Sequence, residues 1–250
     1  MLADSPPSAA HPARKFPQFA AVAAPKRSPG APPMKLLWRE GASLAYIKLT
    51  ASLAKAVPLG VHGGGQKIVV LPGFMASDRS TARLRQCLSA SGFDVHGWGM
   101  GFNRGLNEDT IAHLRLLVEP LAADGPVTLV GWSLGGLLAR EYAKCYSEHV
   151  AKVITLGSPF SGCPRANNVW RLYEFVAGYK VDSPPMAVTL HEKPPVPTIA
   201  FWSSRDGVIG QNAARGMPGE SDQRIELDCG HMAFIADKKA FRKIAAAILG

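Results

Sequence analysis

The chain has 250 residues, with 28 Lys and Arg against 19 Asp and Glu, a net charge of +9 and a hydrophobic content of 47%. That length suits one domain around a single substantial core. No apolar run approaches ~18 residues, which speaks against a membrane span. No nucleic-acid-binding motif accompanies the positive charge, so a nucleic-acid partner is not expected. Residues 1–33 carry +3 and the remainder +6, a balance suited to anionic lipid or anionic substrate.

Residues 1–33 are rich in Pro and Ala and lack hydrophobic periodicity, the composition of a disordered tail. Prolines interrupt every apolar stretch that could serve a signal peptide, so a cytoplasmic location is the default expectation. Met34 follows Pro32-Pro33 and opens the first structured pattern, as an alternative start. The structured domain is placed at 34–250. Leu36 to Val57 has helical spacing, with Leu37, Leu44, Ile47, Leu53 and Val57 as its apolar set. Two roles are open to it: packing on the domain, or lying at an interface with lipid or a partner.

Strands and helices then alternate. Lys67–Leu71 is predicted as a strand, Ser80–Ser91 as a helix stopped at Gly92, and Phe93–Trp98 as a second strand. Glu108–Leu121 is a predicted helix with Ile111, Leu114 and Val118 on its apolar face. Val127 to Val130 reads as a strand and Gly136 to Tyr146 as a helix. Lys152–Leu156, Pro197–Trp202 and Arg224–Leu227 read as further strands, and Lys238–Leu249 as the closing helix. Such alternation implies an α/β fold, a mostly parallel sheet flanked by helices on both faces. Ligands in such sheets bind beyond the C-terminal ends of the strands. Residues 160–195 interrupt the alternation and hold a candidate helix, Arg165 to Val176.

The segment Gly131-Trp132-Ser133-Leu134-Gly135 falls between a predicted strand and a predicted helix. A serine on a sharp turn there is held at the top of the sheet with its hydroxyl presented. Glycines flank it because side chains would clash in so tight a turn. The helix start also aims free backbone N–H groups at the same place. This arrangement resembles the nucleophile elbow of the α/β-hydrolases, over about Lys67 to Gly250.

The resemblance implies a Ser-acid-His order along the chain. Ser133 is the expected nucleophile. Asp206, in Ser203-Ser204-Arg205-Asp206-Gly207-Val208-Ile209, resembles the acid of bacterial lipases and related esterases. His231, in Asp228-Cys229-Gly230-His231-Met232, matches the histidine loop before the final helix. Asp228 is a rival acid, but it stands too close to His231 in the chain for the usual geometry. The oxyanion donors implied are the N–H groups of Leu134 and Phe74. Lipases of the superfamily usually have His-Gly where this chain has Pro72-Gly73, a departure that keeps Gly73 in register. Phe74, Met75, Trp132, Phe160 and Trp170 are candidate substrate-binding residues, with Trp132 also suited to packing beneath the elbow. An insertion at 160–195 would be a small cap, or else a crossover helix with a long loop. Thr155-Leu156-Gly157-Ser158-Pro159 resembles the strand-to-cap junction of lipase-like members.

These features imply a carboxylic ester hydrolase acting on a small-molecule or lipid ester, with no cofactor and no metal. The same triad would also serve an acyltransferase or thioesterase. A binding module that kept the fold, and a lipase working at a membrane surface through weak association, complete the alternatives. Relatives of the lipase type are often exported. Oligomeric state is not legible. Cys87, Cys145, Cys163 and Cys229 lack metal-ligand spacing. Cys87 and Cys145 are expected to be buried thiols, and a Cys163–Cys229 disulfide is open in an oxidising compartment.

Overall fold

A computed structural model describes residues 31–33, 35–41, 56–162 and 189–250. A helical segment, α1, spans 35–41. It is followed by β1 (Lys67–Leu71), α2 (Asp78–Ser89), β2 (Asp94–Gly97), α3 (Glu108–Leu121), β3 (Val127–Trp132), α4 (Leu134–Cys145) and β4 (Val150–Leu156). Beyond residue 189 come β5 (Thr198–Trp202), α5 (Gln211–Arg215), β6 (Gln223–Glu226) and α6 (Lys238–Leu249).

The six strands form one sheet in the order β2-β1-β3-β4-β5-β6, and every neighbouring pair is parallel. The chain leaves β1 toward β2 on one side and returns to β3 on the other. The crevice where strand order reverses therefore lies beyond the C-terminal ends of β1 and β3, the favoured ligand site of open α/β sheets.

Period-two alternation decides which face each strand residue covers. Ile68, Val70, Val130, Ile154 and Phe201 pack with Leu84 and Leu88 of α2 and Phe241 and Ile244 of α6. Val69, Leu71, Leu129 and Val153 pack on the opposite face with Ile111, Leu114 and Val118 of α3 and Leu138 and Tyr142 of α4. Both faces are thus dry, which is why the central strands read as continuous apolar runs rather than alternating ones.

The predicted β1, α3 and α6 match the observed bounds, and the other elements differ by at most two residues at either end. One of these shifts bears on function. α4 begins at Leu134 rather than Gly136, because the chain turns in a single residue and Gly135 and Gly136 sit inside the first helical turn. α5 was not foreseen; at five residues it is too short for a periodic signal. Of the expected 36–57 helix, residues 36–41 are helical, residues 56 and 57 lie outside any helix, and residues 42–55 lie outside the described residues. Trp170, Cys163, the candidate helix 165–176 and residues 1–30 of the tail lie outside the described residues. Cys229 and Cys87 are free and buried, and Cys145 is free and half-buried. Among the described residues no helix is long and apolar enough to cross a membrane.

Asp78 closes the sheet's β2 edge. Its carboxylate accepts from the N–H of Trp98 at 3.0 Å and of Gly99 at 2.9 Å. A negative charge at the first residue of α2 also suits the helix dipole. Asp78→Ala is expected to lower unfolding stability by about 1–3 kcal/mol, with Asp78→Asn retaining part of it. Urea unfolding checks this; an unchanged midpoint for Asp78→Ala would show that the carboxylate contributes nothing.

Candidate active site

β3 ends in Trp132, and the backbone reverses at Ser133 with φ 54° and ψ −120°. A non-glycine residue there costs on the order of 1–3 kcal/mol and persists only where its surroundings over-determine it. They do here. The Ser133 N–H donates to the Leu156 carbonyl at 2.8 Å, which fixes the turn to the end of β4. A side chain at Gly131 would strike the backbone of Gly135, and one at Gly135 would strike the Leu71 carbonyl at the end of β1. One at Gly136 would strike the Ser158 hydroxyl. The three glycines therefore let α4 start directly against β1, β3 and the loop after β4. Ser133 is 8% exposed.

His231 and Asp206 come from the loops after β6 and β5. His231 Nδ1 lies 2.7 Å from Asp206 Oδ2, and both residues are only 2% exposed. The other carboxylate oxygen, Oδ1, accepts from the N–H groups of Val208 and Ile209, each at 2.8 Å. With a carboxylate as acceptor, the proton sits on Nδ1, which leaves Nε2 as the basic nitrogen. The pair is enclosed by aromatic rings. The Trp132 ring lies 5.3 Å from the imidazole, and Phe234 meets it edge-on at 6.4 Å. Gly157, at φ 55°, completes the enclosure. A Cβ there would sit 2.9 Å from Asp206 Oδ2 and 3.2 Å from His231 Nδ1.

The rival acid is elsewhere. Asp228 pairs with Arg205 at 2.9 Å, with its side chain 79% exposed. Trp132, which precedes Ser133 in the chain, donates from its Nε1 to the His231 carbonyl at 3.3 Å and so links the elbow to the histidine loop. Among the described residues Ser133 makes no direct hydrogen bond to His231, and catalytic hydrogen bonds are often long before substrate arrives.

The loop after β1 is held by Asn103, a residue that sequence reasoning missed. Asn103 is fully buried. Its Nδ2 donates to the Pro72 carbonyl at 2.8 Å, its N–H donates to the Ala76 carbonyl at 2.8 Å, and its carbonyl accepts from the Met75 N–H at 2.7 Å. This clamp accompanies a second positive φ, 52° at Met75. Gly73 is pressed against the elbow: a Cβ there would lie 3.0 Å from the Trp132 ring and 3.1 Å from Ser133 Cβ. Phe74 follows Gly73 in the chain, and Leu134 follows Ser133 as the first residue of α4. The only sequence signal for Asn103 was its place between Gly101 and Gly105, which carries no period.

The candidate substrate-binding residues divide. Met75 is exposed, and Phe74 packs half-buried against Leu134, Leu137, Phe160 and Ala200. Phe160 is buried, with the Arg140 guanidinium 4.2 Å from its ring centroid. Trp132 supports the histidine from below. Arg140 is itself buried, and burial pulls its guanidinium down to about 10. Its Nη2 donates to the carbonyls of Glu192 at 2.9 Å and Glu220 at 3.1 Å, which ties α4 to the loops beside β5 and β6. Cys229 stands two residues before His231, but burial pushes its thiol up to about 12. Among the described residues no group of three His, Cys, Asp or Glu side chains could hold a metal ion.

The family model of the alpha/beta hydrolase fold matches residues 65–175. Among solved structures, the chain is similar to one of two metagenome-derived lipolytic enzymes, LipS and LipT. The identity is 16% and the TM-score 0.55, over 76% of this chain and 95% of that one. It is similar to a metagenomic carboxyl esterase at 17% identity and a TM-score of 0.56, over 78% of each chain. It is also similar to the thioesterase domain of a curacin biosynthetic pathway at 13% identity and a TM-score of 0.54, over 76% of this chain and 92% of that one. No curated protein sequence matches. Identities this low show the fold and leave the substrate open. Strand order, the strand–turn–helix about Ser133 and the match over residues 65–175 together show that the chain has the α/β-hydrolase fold.

Proposed function

We propose that the protein is a serine hydrolase of carboxylic esters, acting through Ser133, His231 and Asp206. The observation that carries this reading is the buried Asp206–His231 pair at 2.7 Å, with Trp132, the neighbour of a serine held at φ 54°, bonded to the His231 carbonyl. Serine is a weak nucleophile unless a base takes its proton as it attacks. His231 Nε2 is that base. Asp206 holds the tautomer and stabilises the imidazolium formed. Ser133 Oγ attacks the ester carbonyl, and His231 returns the proton to the departing alcohol. Water then repeats the sequence on the acyl-enzyme.

Charge on the carbonyl oxygen is met by the N–H groups of Leu134 and Phe74. Phe74 and Met75 flank the acyl group, with Phe160 behind Phe74. Residues 160–195 supply the cap in this reading. The same chemistry on a thioester, or with an alcohol in place of water, would make the protein a thioesterase or acyltransferase. Competition between water and added alcohol, and between oxygen esters and thioesters, separates these outcomes. Vesicle sedimentation separates a freely soluble ester from a membrane-surface substrate.

Wild-type protein is expected to hydrolyse p-nitrophenyl esters of some chain length between acetyl and dodecanoyl. Ser133→Ala is expected to lose about 10⁴-fold or more in kcat, and Asp206→Asn about 10⁴-fold through the wrong tautomer. Full activity in Ser133→Ala would remove Ser133 from the mechanism. Gly73→Ala pushes the Phe74 N–H away from Ser133 and is expected to cost about 10²-fold in kcat. Steady-state kinetics check this, and an unchanged kcat would place the second oxyanion donor elsewhere.

A further inference from the structure

Glu40, on α1, is 4% exposed, and its partners among the described residues are three backbone amides. Its Oε1 accepts from the N–H of His231 at 2.6 Å and from that of Gly207 at 3.2 Å. Its Oε2 accepts from the Met232 N–H at 3.1 Å. One carboxylate from the start of the chain therefore grips the residue after Asp206 and His231 itself. His231 opens a short 3-10 turn, His231–Ile235, whose leading N–H groups have no partner within the turn. Glu40 supplies the missing acceptor from a separate segment, some two hundred residues away in sequence.

Two glycines carry the same message independently. The Asp-Gly and Gly-His pairs look like turn chemistry in the sequence, yet neither Gly207 nor Gly230 has positive φ. What each needs is space. A Cβ at Gly207 would strike the Leu36 carbonyl and lie 2.8 Å from Leu37 N, both in α1. A Cβ at Gly230 would lie 2.6 Å from Glu40 Oε1. Leu37 also packs on Val208 and Ile209, whose amides hold Asp206. Helix α1 is thus seated against both triad loops by a charged bridge, an apolar contact and two closely approached glycines.

We infer that Glu40 is a positioning residue: its carboxylate bridges the acid loop and the histidine loop and so sets where the His231 imidazole stands relative to Ser133. The inference rests on the triad reading above. Hydrogen bonds to a charged acceptor are stronger than neutral ones, and a carboxylate accepts at both oxygens where an amide accepts at one. In Glu40→Gln, whichever way the amide turns, its NH₂ faces at least one of the three N–H groups. Movement of about 1 Å at a reacting group can cost about 10²-fold in rate.

The test compares Glu40→Gln with wild type and with Val118→Ala, a core truncation in α3 outside the site. Kinetics are read well below each melting temperature, together with amide exchange over Gly207, His231 and Met232 and the low-field NMR resonance of the His231 Nδ1 proton. Glu40→Gln is expected to lower kcat by about 10- to 100-fold with KM within about twofold, to speed exchange at the three amides and to shift or broaden the resonance. Val118→Ala is expected to lower melting temperature with kcat unchanged. Gly230→Ala displaces the same carboxylate from the other side and should reproduce the kcat loss if Glu40→Gln fails to fold. Wild-type kcat in folded Glu40→Gln or Gly230→Ala would overturn the proposal. Wild type inert toward esters and thioesters would sink the triad reading instead. Exchange and the His231 resonance then decide the bridge alone: unchanged values in Glu40→Gln would overturn it, and altered ones support it.

Discussion

The backbone at Ser133 is the constraint on which the site depends. An L-residue at φ 54° has to be held there, and the holding groups come from the whole centre of the sheet. β1 supplies the Leu71 carbonyl against Gly135, the end of β4 supplies the Leu156 carbonyl to the Ser133 N–H, and Ser158 fits against Gly136. The parallel order β1-β3-β4 is what brings these three strand ends together. Local strain at one residue is thus offset by packing that the fold provides in any case. The product is a serine fixed in the turn between β3 and α4, where strand order reverses.

Around that point, polar groups are fixed by other buried polar groups rather than by solvent. Asp206 is held by two amides of its own loop, His231 by Asp206 and Trp132, and the loop after β1 by Asn103. Each of these would be costly if left unpaired, so the network is satisfied as a set or not at all. Such preorganisation is what proton transfer and oxyanion stabilisation require, since donors that are already aimed need no reorganisation during reaction. The proposed bridge by Glu40 extends the same logic to α1, making the start of the chain part of the geometry of its last loops.

Much of the fold was legible because it rests on local pattern. Lys67–Leu71, with its run of β-branched and apolar residues, and Glu108–Leu121, with Ile111, Leu114 and Val118 on one stripe, carry their periods in the sequence. Gly131 and Gly135 declare a tight turn. What was not legible depends on partners distant in the chain. Asn103 carries no signal apart from its contacts with Pro72, Met75 and Ala76. Gly207 and Gly230 are readable as glycines but not for their reason, which is the approach of α1. Glu40, within an amphipathic helix, looks like one more solvated charge until His231 is seen to donate to it. Trp132 was readable as either pocket or support, and only its bond to the His231 carbonyl places it beneath the histidine.

The central claim is that Ser133 becomes covalently acylated. The most direct measurement is mass spectrometry of the protein quenched in acid during turnover of an activated ester, with peptide mapping of the adduct. The account predicts an acyl mass addition on the peptide bearing Ser133, absent from Ser133→Ala and strongly reduced in a variant lacking the His231 imidazole. Turnover with no adduct, or an adduct that maps to another residue in wild type and persists in Ser133→Ala, would contradict it.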